Sequence, residues 1–280
     1  MPIDMLIDAT VAAGLCLLAA NLGSFLNVVA YRVPRGMSVA WGGSRCPACG
    51  SPVRWHDNVP VVGWLVLGGR CRDCGAAIPR RYPQVEAAAA VVGGISAIEL
   101  LSGGATWPAG RFDACRSGAD LLLLEADWRL VLVCVAHAAL LLVLLAWTLF
   151  EADRTPVTSR GVCGTAAGLA AVAVVAGGPT VAAGWPAAVE AAVGAAVGGL
   201  IGATAASPWL RQGLLFVGTV LGWQAVVAAG AIMAAVSVGR WVADRCRDRR
   251  RPLEPACGDL LVAAAVQMLA WRWLAAAWPA

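Results

Sequence analysis

Seven long apolar runs leave this chain few ways to fold. They cover residues 6–31, 85–101, 130–150, 161–178, 186–206, 213–238 and 260–278. A helix rises 1.5 Å per residue, so about 20 such residues cross the roughly 30 Å hydrocarbon layer of a bilayer, and most of the runs are about that long. Apolar residues make up 60% of the 280 and charged residues 14%, more than a soluble core can enclose. The expected fold is an all-α polytopic membrane protein with seven or eight transmembrane helices. Asp4 and Asp8 stand at the head of the first run, where a signal peptide would carry a basic region, so this helix is expected to stay in the mature protein.

Arginine placement sets the orientation. All 21 basic residues are Arg, and the net charge of +4 needs no nucleic-acid partner to explain it. The loop after the first run holds eight arginines (32, 35, 45, 54, 70, 72, 80 and 81) against Asp57, Asp73 and Glu86, which assigns it to the cytoplasm and the N-terminus to the outside. The acidic stretch 102–128 reads as an exported loop. Six arginines between 240 and 255 call for the cytoplasm again, yet only one run separates them from Arg211 on the same side. A hairpin or re-entrant pair folding back at Leu221-Gly222-Trp223 resolves the conflict. Gly194, Gly198 and Gly202 form a seam for close helix packing, and Asn21, Ser24 and Asn27 share a face of the first helix that should pack on protein or a polar cavity.

Inside the cytoplasmic loop stand two Cys-x-x-Cys pairs, Cys46/Cys49 and Cys71/Cys74, each followed by glycine and separated by 21 residues. Four thiolates at this spacing close a tetrahedral zinc site, and a reducing compartment disfavours disulfides. The other cysteines (16, 115, 134, 163, 246 and 257) show no paired spacing and read as small hydrophobes. His56 lies outside both pairs and reads as a surface residue. His137, within the third run, reads as a helix–helix hydrogen bond. The domains expected are a first transmembrane helix over 1–31, a cytoplasmic four-cysteine zinc-binding domain over 32–84 and a helical membrane domain over 85–280.

Residues 20–90 also carry a dense set of motifs: Gly23-Ser24-Phe25-Leu26-Asn27-Val28-Val29, Tyr31-Arg32-Val33-Pro34-Arg35-Gly36, Cys46-Pro47-x-Cys49-Gly50, Asn58-x-Pro60, Gly63-Trp64, Cys71-x-x-Cys74-Gly75 and Arg80-Arg81-Tyr82-Pro83-x-Val85-Glu86. This resembles the N-terminal part of the type IV prepilin peptidases. The resemblance implies a multi-pass protein of the bacterial inner membrane, an aspartic protease that removes the leader of type IV prepilins or type II secretion pseudopilins at the cytoplasmic face. It also implies N-methylation of the new terminus with S-adenosylmethionine, for which Arg81 and Glu86 are the candidate cofactor or substrate contacts.

Proteolysis of this kind needs two carboxylates in different protonation states. The family's first aspartate, at a helix end, falls on Glu151, with Asp153 matching a second acidic position. Aligned on Leu221-Gly222-Trp223, the family's Gly-x-Gly-Asp motif falls on Ser207-Pro208-Trp209-Leu210, which has no carboxylate. Leucine can neither hold water by hydrogen bonds nor exchange a proton. Asp259, in Cys257-Gly258-Asp259, is the nearby candidate surrogate, and otherwise an N-cap for the last helix. Two readings follow: a prepilin-processing enzyme, and a non-catalytic relative that binds prepilins or assembly proteins.

Overall fold

The computed structural model describes residues 3–102, 128–155, 187–205, 207–246 and 256–276. Among these the regular structure is helical, apart from two isolated β-bridges. The helices are α1 (Ile3–Arg32), α2 (Val62–Val66), α3 (Arg81–Leu101), α4 (Trp128–Ala152), α5 (Ala187–Ala203), α6 (Pro208–Leu221), α7 (Trp223–Cys246) and α8 (Cys257–Ala276). Four spans within α1, α3, α4 and α7 are long and apolar enough to cross a membrane, and segments of α5 and α8 are shorter apolar helices. The run 161–178 and most of the acidic stretch 102–128 lie outside the described residues.

The chain divides into two compact units, one formed by Ala9–Ala97 and the other chiefly by Ile98–Ala280. In the first, α1 and α3 run antiparallel at close range. A β-carbon on Gly23 would press on Ala89, Val85 and Glu86, and one on Gly93 would collide with the Leu15 carbonyl. The packed face of α1 is therefore Ala20, Gly23, Asn27 and Ala30. This corrects the expected Asn21, Ser24 and Asn27 face. Asn27 is buried and donates to the Tyr82 carbonyl at 3.3 Å, whereas Asn21 is exposed and bonds back to Leu17 of its own helix at 2.8 Å. An amide can satisfy itself within its helix, so a polar stripe alone does not identify the packed side.

In the second unit the glycine seam packs as expected. A β-carbon on Gly194, Gly198 or Gly202 would collide with, or press closely on, the backbone at Gly218, Leu214 or Arg211, which sets α5 and α6 antiparallel. Gly213 lies against Leu260 and Leu144, so α6 also meets α8 and α4.

The helix break falls at Gly222, whose φ of 89° favours glycine. The first residues of α6 adjoin Glu151, at the end of α4, through Ser207. On α7, Ser237 and Arg240 reach Asp259 near the start of α8, and Cys257 of that same start bonds Glu151. Thus α6 leaves one end of the bundle, climbs for 14 residues, about 21 Å, and α7 brings the chain back. This is the expected hairpin, and it places Arg211 and Arg240 at the same end.

Candidate functional site

The two cysteine pairs are built twice from one local pattern. In the first, Gly50 N–H donates to Cys46 O at 2.8 Å, Cys46 N–H to Ser51 O at 2.9 Å, and Arg45 bridges to Gly50 O at 3.2 Å. In the second, Gly75 N–H donates to Cys71 O at 2.9 Å, Cys71 N–H to Ala76 O at 2.8 Å, and Arg70 reaches Gly75 O at 3.4 Å. Gly50 and Gly75 take φ of 72° and 71°, which only glycine adopts without cost. The sequence reading counted Arg45 and Arg70 only toward the charge of the loop, although the repeated Arg-Cys-x-x-Cys-Gly was open to view.

All four Sγ atoms lie within 4.8 Å of one another, and Cys46 and Cys74 stand 3.8 Å apart. Four thiolates around one zinc at about 2.3 Å would be separated by about 3.8 Å, so this donor set fits a tetrahedral metal ion. The thiols are not equivalent. Hydrogen bonds from the Ser51 side chain and amide hold Cys49 down at about 6, and those from the Cys74 and Asp73 amides lower Cys71. At Cys74 the Ala76 amide also favours the thiolate, but the crowding of Cys49, Cys71 and Cys46 outweighs it and pushes that thiol up to about 12. Four negative sulfurs this close need a cation between them.

The segment joining the pairs locks them together. Arg72, inside the second pair, grips Asp57 by two bonds of 2.5 and 2.8 Å and holds its carboxyl below the usual range, while Arg54 reaches Asp73 at 3.4 Å. His56, exposed as expected, stands 3.7 Å from Asp57. Gly63 lies so close to the Asp57 carbonyl that a β-carbon there would collide with it. Trp64 packs on Gly69 and donates to Ile78 O at 3.1 Å.

Between Asn58 and Gly63 the chain makes a γ-turn of positive φ. Val61 sits at φ 62°, ψ −52°, and Val62 N–H donates to Pro60 O at 2.6 Å. A β-branched residue is strained there. What holds it is Glu86, buried in α3, whose carboxylate accepts the Val61 N–H at 2.6 Å. Glu86 thus positions a loop, a role its sequence neighbours did not reveal. Arg81 occupies the first position of α3, partly exposed.

In the second unit, Glu151 and Asp259 come to the same end of the bundle. Glu151 accepts from the Ser207 hydroxyl and from Cys257 N–H at 2.9 Å. Asp259 Oδ2 accepts from Ser237 at 3.0 Å, Arg240 at 2.8 Å and Ala256 N–H at 2.9 Å. The two carboxylates therefore take consecutive amides, Ala256 and Cys257, ahead of α8. Asp259 is the third residue of that helix and reaches back to the residue before it. It forms half of a capping box, which corrects the expected N-cap position. Ser207 caps α6 through Leu210 N–H, and the Leu210 side chain is buried at 1% exposure. Asp153 is exposed beyond α4, whose end is closed by bonds from Arg154 to Glu151 O and Thr155 to Phe150 O. Trp209 stacks on Phe150 at 5.4 Å and packs on Trp147 at 5.7 Å, fixing α6 against α4.

His137 is tied to a residue the sequence reading did not single out. Its Nδ1 lies 2.6 Å from Glu99 Oε1, joining α4 to the end of α3, and both side chains are buried.

Comparison with known proteins bears chiefly on the first unit. Residues 17–100 match the Bacterial Peptidase A24 N-terminal domain, and this segment includes all four cysteines, Glu86 and most of α1 and α3. Over this segment the chain is similar to the N-terminal part of the type IV prepilin peptidases. A prepilin leader peptidase/N-methyltransferase of Myxococcus xanthus is 51% identical over 73 residues, covering 26% of this chain and 20% of that protein. One from Pseudomonas aeruginosa is 36% identical over 158 residues, 47% of this chain and 53% of its relative. The type 4 prepilin-like proteins leader peptide-processing enzyme of Escherichia coli O78:H11 is 37% identical over 105 residues, covering 31% and 36%. The chain thus spans about half or less of the length of these curated relatives. No solved structure matches. With four helices long and apolar enough to cross a membrane among the described residues, this is a multi-pass membrane protein carrying a four-cysteine cluster that could hold a metal ion.

Proposed function

We propose that this chain processes type IV prepilins or type II secretion pseudopilins at the cytoplasmic face of the bacterial inner membrane, by leader cleavage and N-methylation, with zinc on Cys46, Cys49, Cys71 and Cys74. The observation that carries the reading is that the whole cysteine lobe, with the helix turns that hold it, falls inside the matched domain. The relatives' names supply the activity.

Glu151 and Asp259 are the proposed carboxylate pair, with Asp153 beside them at the end of α4. One of the pair takes a proton from the attacking water and the other gives one to the scissile carbonyl oxygen, which requires that they differ in protonation. S-adenosylmethionine, when bound, supplies the methyl group to the neutral α-amine. Arg81 is the proposed contact for the cofactor or the amine, and Glu86 acts through the Val61 turn.

A second reading is favoured by a specific observation. Glu151 and Asp259 are both bound to donors at helix starts, and Leu210, where the resemblance leads one to expect the second aspartate, is a buried apolar residue. On that reading the chain binds prepilins without cutting them. The test is a reconstituted reaction with a purified prepilin, following leader removal and methyl incorporation separately, for the native chain, Glu151→Gln and Asp259→Asn. The first reading expects cleavage by the native chain and none by either variant, with metal content unchanged. Prepilin binding with no cleavage by the native chain selects the second.

A further inference from the structure

We infer that the cysteine lobe rests on the bilayer surface, with Trp41 and the exposed face of α2 seated among anionic phospholipid headgroups. The apolar residues concerned are held by charged side chains at the level of the two membrane helices. Arg32, the last residue of α1, donates to four carbonyls of one loop: Ser38 at 3.1 Å, Trp41 at 3.0 Å, Gly42 at 2.9 Å and Gly43 at 3.2 Å. That loop is pinned to the end of the first span, and its Trp41 is 82% exposed.

The second tether reaches deeper. Glu86 lies five residues into α3, about 7–8 Å along the helix axis from Arg81, and its carboxylate holds the amide of Val61, the residue that opens α2. Val62, Leu65 and Val66 then follow at i, i+3 and i+4, so they form one stripe, and all three are exposed, Val66 at 72%. A stripe of three aliphatic side chains is poorly placed in water. At this depth it meets the boundary of headgroups and acyl chains, where short amphipathic helices and tryptophan settle.

The charges around the stripe select the kind of lipid. Arg35 follows the end of α1, its guanidinium 4.1 Å over the ring of Tyr31, and Arg80 and Arg81 stand at the start of α3 beside Tyr82. Both tyrosines are partly exposed. Basic residues flanking spans at this density attract an anionic leaflet, and tyrosine rings occupy its interface. An apolar peptide or a second copy of the chain would account for the stripe but not for the arginine belt.

The test uses the full chain in nanodiscs of phosphatidylethanolamine and phosphatidylglycerol, with benzoylphenylalanine placed at Leu65, Val66 or Trp41. Trp55, which is exposed but carries no such tether, serves as the control position. On irradiation the three sites should gain the mass of a phospholipid about fivefold more often than position 55, and phosphatidylglycerol should predominate among the adducts. Metal content equal to the parent's certifies that each labelled lobe is folded. The conservative variant Trp41→Phe supplies a check that needs no label, because quenching by brominated phosphatidylglycerol should lose a component relative to the parent. Absence of lipid adducts at 65 and 66, adducts to a second protein chain, or identical quenching of parent and Trp41→Phe would each overturn the inference.

Discussion

Gly63→Ala should weaken metal binding although residue 63 is not a ligand. The added β-carbon would overlap the Asp57 carbonyl oxygen and lie 2.8 Å from its carbon, so the helical turn Trp55–Asn58 must withdraw by about 1 Å to restore an ordinary C···O contact. Asp57 is the anchor of Arg72, which lies between the two cysteines of the second pair. Withdrawal therefore pulls on the knuckle itself. Overpacking of this kind costs about 1–3 kcal/mol. In small metal-closed lobes binding and folding are one equilibrium, so about 2 kcal/mol is expected to read out as roughly 30-fold weaker affinity. Competition against a chromophoric chelator at fixed pH, on the full chain in detergent, measures this. Gly43→Ala, where an added carbon meets nothing within 4 Å, is the matched control and should bind as the parent does. An affinity for Gly63→Ala within about threefold of the parent, below the roughly fivefold floor of the expected range, would refute the coupling through Asp57 and Arg72.

Other perturbations read other parts of the molecule. Without metal, alkylation at pH 7 should label Cys49 first, since its thiol is held near 6, and Cys74 last, with its thiol near 12; zinc should protect both. Because Cys49 sits below its ordinary value of 9, its stabilisation of the metal-free lobe is complete above that pH and is lost as pH falls through about 6, which denaturant titrations across that window will register. Glu151→Ala removes the acceptor for Ser207 and Cys257 N–H, and should lower stability by about 1.5–3 kcal/mol in a detergent melt, with Glu151→Gln losing less. At the buried hydrogen-bonded pair, His137→Phe or Glu99→Leu alone should cost about 1–3 kcal/mol, and the double variant distinctly less than their sum.

Several features were legible because a single local rule governs each. The Cys-x-x-Cys-Gly spacing predicts two tight turns, and both close with the same bonds. The conflict between Arg211 and the arginines beyond residue 240 predicts a fold-back, and Gly222 supplies it. Gly194, Gly198 and Gly202 predict a packing seam without naming the partner, which is α6. What was not legible depends on residues far apart in the chain. Asn21 and Asn27 look alike in the sequence, and only the position of α3 separates the packed amide from the exposed one.

The sequence by itself determined a helical membrane protein with a four-thiol lobe after its first helix, since hydrophobic run length, charge bias and cysteine spacing act over a few residues at a time. Only the tertiary structure decided that Glu86 restrains Val61, that Glu99 meets His137, and that Glu151 and Asp259 share the start of α8. These pairings join residues 25 and 38 positions apart, and in the case of Glu151 and Cys257 106 apart. A buried carboxylate must find donors wherever packing brings them, and sequence proximity places no bound on where that is.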